Sequence, residues 1–197
     1  MKVTFFYFFL LFFTSCSFPT YVFQNNNQTI GLNFAEGKWL LNEINAPIGI
    51  EDKLTKTAIK DFSKFTNGNL DYSVTTKKLL MQKINKSNLN TDELKKIKIG
   101  TNYDYFININ AQTLKNEINN INIRNHKFQT EGSKEISIVL EVYDLNNLVV
   151  LYSQEVKGFV KLPQNSNDVT LSYSINNLVL GGYKKIIRDI TKKSIKK

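Results

Sequence analysis

Few side chains in this sequence could carry out nucleophilic, acid–base or metal chemistry. Cys16 is the only cysteine and His126 the only histidine. One histidine excludes a zinc site built from two, and His126 lies in a polar, Asn-rich stretch without an evident partner to orient it as a general base. Seven carboxylates near predicted strands form no recognisable pair: Glu36, Glu43, Asp104, Glu131, Glu135, Glu141 and Asp144. We therefore predict no catalytic residue, metal site or cofactor, and a protein that is not an enzyme.

Cys16 ends a segment with the anatomy of an export signal. Lys2 supplies a positive charge, residues 3–13 form an apolar run, and Thr14-Ser15 supply small residues before the cysteine. The run is too short for a spanning helix, which needs about 20 apolar residues. Cleavage is therefore favoured over anchoring by a helix. The alternative is an ordinary secretory signal with a chance cysteine, and both interpretations export the protein.

The stretch Phe13-Thr14-Ser15-Cys16 resembles the lipobox of bacterial lipoproteins. In that family the cysteine becomes the first mature residue and carries acyl chains, so the resemblance implies a lipid anchor at Cys16. Phe13 departs from the aliphatic residue usual at its position. Ser17 and Phe18 are not acidic, which by the same resemblance implies the outer membrane, and the lack of an acidic cluster implies its periplasmic face. The Asn-, Lys- and Ile-rich composition is typical of a Bacteroidota-like bacterium.

Basic residues exceed acidic ones, 26 against 17, and crowd toward the C-terminus. They have two interpretations. Cations in the last turns of a helix offset its dipole and aid solubility; alternatively, they bind anionic lipid headgroups or glycans. Export removes the chain from cytoplasmic nucleic acid, so no nucleic-acid partner is expected. The residues of this candidate anionic-surface site are Lys184, Lys185, Arg188, Lys192, Lys193, Lys196 and Lys197.

The sequence divides into three regions. Residues 1–15 are predicted to be a lipoprotein signal peptide, residues 16–36 a flexible lipid-anchored tether, and residues 37–197 one globular domain. The tether prediction rests on an uncharged stretch that contains Pro19 and Asn25-Asn26-Asn27. A flexible chain of about 20 residues extends roughly 25 Å.

Hydrophobic periodicity predicts the elements of the domain. Asn90 and Glu93 have capping-box spacing, and Gly181-Gly182 lies inside the last helix, where it predicts close packing on the sheet and not a phosphate loop. One face of the strand at 103–110 is expected to be buried, and residues 111–133 fit either a strand or a weak helix. The predicted elements are strands at 37–44, 70–74 and 103–110, a hairpin at 135–156, and helices at 50–65, 79–84, 90–100 and 175–190.

This order predicts an α/β (α+β) fold: a single mixed sheet with helices packed on it, including a long C-terminal amphipathic helix. The order, the 103–110 strand and the turn Tyr143-Asp144-Leu145-Asn146-Asn147 resemble the periplasmic α/β domains of envelope lipoproteins, such as the LpoB, CsgG and TolB N-terminal types, over residues 37–193.

Three functions follow as hypotheses. The leading one is a periplasm-facing, lipid-anchored outer-membrane lipoprotein that is a non-catalytic binding or assembly factor for an envelope protein. A rival is an envelope hydrolase or glycan-processing enzyme whose carboxylates meet only in the fold. The third is a lipid- or glycan-binding module that uses the basic C-terminal face.

Overall fold

A computed structural model describes residues 18–27, 32–76, 83–116, 132–161 and 173–195. Within these ranges the sheet has six strands, and three helices pack on it. The predicted fold class is confirmed. Cys16, His126, the signal peptide and most of the 79–84 helix lie outside the described residues. The elements are β1 Thr20–Asn27, β2 Trp39–Leu41, α1 Glu51–Phe65, β3 Leu70–Tyr72, α2 Thr91–Thr101, β4 Tyr105–Asn116, β5 Ser133–Asp144, β6 Val149–Lys161 and α3 Ile175–Lys193.

The strand order across the sheet is β1-β6-β5-β4-β2-β3. The β4–β5, β5–β6 and β6–β1 pairs are antiparallel, whereas β2 is parallel to both β3 and β4. Parallel neighbours need crossover connections, and α1 and α2 provide them. The predicted hairpin is β5 and β6, and the open stretch at 111–133 extends β4 to Asn116 and begins β5 at Ser133.

The helices cover both faces of the sheet. On one face, α1 and α3 pack their apolar stripes on alternating residues of the sheet, such as Ile107 and Ile138. On the other face, Leu94 and Ile97 of α2 pack against Phe106. Both faces of β4 are therefore buried, and the expectation of one buried face was wrong. No helix among the described residues is long and apolar enough to cross a membrane.

β1 overturns the predicted tether. Thr20–Asn27 pairs antiparallel with β6 at one edge of the sheet, and Leu32 and Phe34 lie in the core. The prediction of a flexible 16–36 segment is therefore wrong for these residues. Tyr21, Val22 and Phe23 favour a strand, and Pro19 stands just before it, where its missing N–H costs no ladder hydrogen bond.

Tyr21 is clamped between two glycines. A Cβ at Gly158 of β6 would lie 2.9 Å from Tyr21 Cε1, and a Cβ at Gly181 of α3 would lie 1.8 Å from Tyr21 Oη. At Gly182, a Cβ would lie 2.9 Å from Ile138 Cγ2. The predicted close helix-to-sheet packing at Gly181-Gly182 is confirmed. Burial, with a smaller contribution from Tyr173, raises the pKa of Tyr21 to about 12.

Candidate functional site

The structure separates the cations predicted at the C-terminal helix. Lys184, Lys185 and Arg188 are exposed and line a groove between α1 and α3. Lys192 is exposed in the last turn of α3. These four residues keep their charge at the surface. Lys196 and Lys197 lie outside the described residues.

Lys193 does not belong to this surface. Its Nζ lies 2.8 Å from Asp189 Oδ2 and 5.8 Å from the centre of the Tyr152 ring. The Tyr152 hydroxyl donates to the same Asp189 oxygen, at 3.0 Å. Lys193 therefore neutralises a carboxylate beside the sheet, and its expected part in an anionic-surface site is wrong.

α1 supplies the other wall of the groove, which sequence reasoning missed. Two adjoining cavities of about 660 and 540 Å³ share Lys53, Thr57 and Lys184 in their linings and form one continuous depression. The spacing of its lysines at three and four residues places them on one helix face, and that spacing was the available signal. We call this depression the basic groove; its cations are Lys53, Lys56, Lys60, Lys64, Lys184, Lys185 and Arg188.

The basic groove carries a large excess of positive charge. Its seven cations face only two carboxylates in the lining, Asp52 and Asp61. Asp61 binds a core residue, since it accepts a hydrogen bond from the hydroxyl of the buried Tyr183 at 3.2 Å. Burial and the nearby Asp61 charge raise the pKa of Tyr183. Among the described residues, none of the seven cations forms an ion pair within 4.0 Å.

The polypeptide joins the domain beside this groove. Pro19 and Tyr21 line it together with Lys53 and Arg188. Phe18 precedes them with 80% of its surface exposed. Cys16 stands three residues before Pro19, and three extended residues reach at most about 11 Å. The candidate lipid attachment point is therefore tied to the edge of the basic groove.

The other face of the sheet holds a layer of buried polar side chains. These side chains bind residues 84–88, an irregular segment that we call the strap. The Asn88 amide donates to Glu141 Oε1 at 2.8 Å, and three asparagine amides donate to strap carbonyls: Asn42 to Ile84 at 2.8 Å, Asn108 to Lys86 at 2.8 Å and Asn110 to Asn85 at 3.0 Å. This polar layer holds the backbone of the strap, and among the described residues Asn42 Oδ1 is buried without a hydrogen-bond partner.

The candidate acid–base carboxylates are likewise engaged in structural contacts. Glu141 is buried in the polar layer, and Asp144 accepts the amides of Asn146 and Asn147 at 2.8 and 2.9 Å in the hairpin turn. Glu43 pairs with Lys83 at 2.8 Å. In the described part of the chain, no group of three His, Cys, Asp or Glu side chains could hold a metal ion.

Asp104, another of the candidate carboxylates, is held by backbone and side-chain contacts. It accepts the Lys38 amide at 3.0 Å and lies 3.2 Å from Lys98 Nζ. These contacts, the Lys38 amide first, hold the pKa of Asp104 below its usual value. Glu135 is half-buried and Glu36 exposed on separate parts of the surface, and Glu131 lies outside the described residues. Of the described acids, Asp104 and Asp144 both accept hydrogen bonds from Asn146, and these contacts hold both carboxylates at the hairpin turn.

Comparison with known proteins finds no matching protein-family model and no matching curated protein. Solved structures with a similar backbone include the PelC dodecamer from Paraburkholderia phytofirmans, at a TM-score of 0.45 and 10% identity over 91% of this chain and 100% of that chain. Lipoprotein GNA1162 from Neisseria meningitidis has a TM-score of 0.39 and 14% identity, covering 78% and 99%. A DUF330 protein from Xanthomonas campestris has 0.32 and 11%, covering 92% and 100%.

All of these TM-scores lie below 0.5, which is too low to transfer a function to this chain. None of the three structures is an LpoB, CsgG or TolB domain. That resemblance stays a prediction.

Proposed function

We propose that this protein is a lipid-anchored lipoprotein of the bacterial outer membrane, facing the periplasm, and a non-catalytic binding or assembly factor for an envelope protein. Cys16, in its lipobox-like context, supplies the anchor. Three acyl chains exceed the two membrane signals that stable anchoring requires. The observation that carries the proposal is the position of β1, because the sheet begins at Thr20, four residues after Cys16.

The short connection between Cys16 and β1 limits how far from the membrane a partner can lie. Four extended residues span at most about 14 Å, compared with the roughly 25 Å expected of a flexible tether of about 20 residues. The domain is thus held against the headgroups and has little freedom to search the periplasm. A membrane protein of the same bilayer is the partner that this reach favours.

A sheet surface beside the anchor is suited to such a partner. Val22, Glu135, Lys157 and Phe159 line a cavity of about 450 Å³. They alternate with residues that face α3, so they lie on the other side of the sheet. No helix of the described residues packs on this area, which we call the bare face. A mixture of apolar and charged side chains is typical of interfaces between proteins that also exist apart.

The anchor is tested by expressing the wild type and Cys16→Ser in a bacterial host. We expect the wild-type mature chain to begin at acylated Cys16 by mass spectrometry and to partition into detergent, and the variant to do neither. A wild-type chain without acyl groups would overturn the proposal. Protease treatment of intact cells should leave the domain intact, and its removal would contradict the periplasmic face.

The partner is tested by placing a photo-crosslinking residue at Val22 in membranes that contain the acylated protein. Val74 is the matched control, since it is the same residue type, is 59% exposed against 42% for Val22, and follows β3 at the opposite sheet edge. We expect a membrane-protein adduct from Val22 and none from Val74. Absence of a Val22 adduct, or the same adduct from both positions, would argue against binding at the bare face.

A further inference from the structure

We propose that the basic groove is a second membrane contact, which docks on anionic lipid headgroups and orients the domain with α1 and α3 toward the bilayer. This inference rests on the proposed function, since it takes the anchor at Cys16 as given. It assigns a role to four lysines of α1 that the sequence did not single out. It also places the bare face and α2 on the side away from the lipid, where the periplasmic part of a membrane-protein partner can reach the bare face.

The cations of the basic groove lie close together and are exposed to solvent. Lys53, Lys56, Lys60 and Lys64 extend along α1 for about 16 Å at ~1.5 Å per residue. All four are exposed, as are the three cations that α3 contributes. Between the two rows, the Thr57 hydroxyl turns back to donate to the Lys53 carbonyl at 2.7 Å. The side chain between the two rows is therefore small and uncharged, and phosphate groups can approach both rows.

The positive charge of the basic groove is not balanced by ion pairs with neighbouring carboxylates. Elsewhere in the described residues, Lys83, Lys86 and Lys98 are paired with acids, and the exposed lysines without an ion pair, such as Lys38, Lys95 and Lys157, lie in separate parts of the fold. The basic groove instead holds seven cations without an ion pair in the part of the chain that the structure describes. Such a uniform field attracts an anionic surface and costs the domain self-repulsion when no such surface is present.

The geometry of the chain selects a bilayer as that surface. Pro19 lines the groove, and the backbone of Cys16, the proposed attachment point, can lie no further than about 11 Å from it. This distance is close to the ~8 Å Debye length at physiological ionic strength, so the headgroup charge is felt in the groove. Phe18, at 80% exposure between the two, has the apolar ring suited to the headgroup boundary.

The test uses the full mature chain with Cys16→Ser, so that binding does not depend on acylation. Sedimentation measures its partition onto vesicles of equal parts phosphatidylglycerol and phosphatidylcholine, and onto phosphatidylcholine alone. The groove variant is K53Q/K184Q/K185Q/R188Q. The matched control, K38Q/K95Q/K96Q/K157Q, removes the same charge from exposed positions outside the groove.

We expect the unmutated groove to prefer the anionic vesicles, with a preference that falls as salt is raised. One basic side chain beside an anionic leaflet contributes about fivefold in affinity. The groove variant should therefore lose at least about 25-fold, the contribution of two of its four cations. The control should lose less than about threefold, because distant charges are screened.

Three results would overturn the inference. They are no preference for phosphatidylglycerol, equal losses in the groove variant and the control, and displacement from vesicles by inorganic phosphate but not by chloride of equal ionic strength. The last would assign the groove to a soluble phosphate. None of these results depends on acylation, which the mass measurement on Cys16 tests separately.

Orientation is tested on the acylated protein. Because Cys16 is the only cysteine, Lys60→Cys and Lys95→Cys each introduce a single free thiol for a fluorophore. Lys60 faces the groove and Lys95 lies on α2, on the other side of the sheet. A quencher in the lipid headgroups should quench the Lys60 label and spare the Lys95 label. Equal quenching, or the reverse order, would contradict the proposed orientation.

Discussion

Replacing Gly181 by Ala should loosen β1 from the domain without unfolding the rest. The new Cβ would lie 1.8 Å from Tyr21 Oη and 2.5 Å from Tyr21 Cζ, whereas non-bonded carbons rest about 3.5–4.0 Å apart. The ring cannot move toward β6, because Gly158 already lies against its other side. The substitution therefore expels the Tyr21 ring from the clamp.

The expected change in the free energy of unfolding is the sum of two opposed effects. Fully burying a large apolar side chain is worth about 1.5–3 kcal/mol, so losing the half-buried Tyr21 costs about 1–1.5 kcal/mol. Replacing a helical Gly by Ala gains about 0.5–1 kcal/mol. Gly100→Ala in α2 measures the helical gain alone, since no atom lies within 4 Å of a Cβ added at Gly100. We expect Gly100→Ala to stabilise the protein by that gain and Gly181→Ala to fall short of it by about 1–1.5 kcal/mol.

Two measurements on the mature Cys16→Ser chain check this prediction. Urea denaturation gives the free energy of unfolding of both glycine variants. Hydrogen exchange of the Tyr21–Gln24 amides should be about 5–10-fold faster in Gly181→Ala, because 1.4 kcal/mol corresponds to a factor of 10. In a Tyr21→Ala background the two glycine substitutions should become equivalent. If Gly181→Ala stabilises as much as Gly100→Ala and exchange in β1 is unchanged, the clamp does not hold β1.

Three further predictions concern stability, measured by urea denaturation. Asn90→Ala removes the observed α2 cap and should cost about 1 kcal/mol; an unchanged midpoint would contradict that role. Because the folded-state pKa of Asp104 is lowered, its contribution is present above about pH 4 and lost as the pH falls, and Asp104→Asn should flatten this acid limb. Because the pKa values of Tyr21 and Tyr103 are raised to about 12, chiefly by burial, their contribution is complete below about pH 10 and lost toward pH 12. The double Phe variant should show a smaller alkaline decline, the remainder coming from other buried tyrosines such as Tyr183, and a decline of unchanged size would refute the assignment.

The elements with strong local patterns could be predicted from the sequence. α1 and α3 carry amphipathic stripes, the hairpin alternates along both strands, and α2 begins with the predicted capping box at Asn90 and Glu93. Each of these signals is complete within one segment. The helices and the hairpin therefore follow from local periodicity.

β1 and the polar layer could not be predicted in the same way. Thr20 pairs with Phe159, so nothing near β1 in the chain identifies its partner. Asn108 and Asn110 alternate with apolar residues and suggest a solvent-facing side, yet their amides bind the strap. Strand pairing and cross-sheet hydrogen bonds depend on distant residues.

For the same reason, the sequence predicted only part of the candidate site. Periodicity and composition pointed to the cations of α3, but the second wall of the basic groove exists only because α1 packs beside that helix. Lys193 was wrongly included because its pairing with Asp189 and its position over Tyr152 depend on the packing of α3 on β6. The charge of a residue can be read from the sequence, whereas its availability is decided by tertiary contacts.

The pairing of β1 with β6 also sets an order of events during maturation. A chain that leaves the cytoplasm N-terminus first presents Cys16 and β1 long before Phe159, about 140 residues later, can emerge. Under the proposed lipid anchor, the enzymes that cleave and acylate Cys16 would act on a segment that has no sheet to join. Under the same proposal, closing the sheet against β1 waits for β6 and takes place at the bilayer, where delay would leave an unpaired strand edge open to a neighbouring chain.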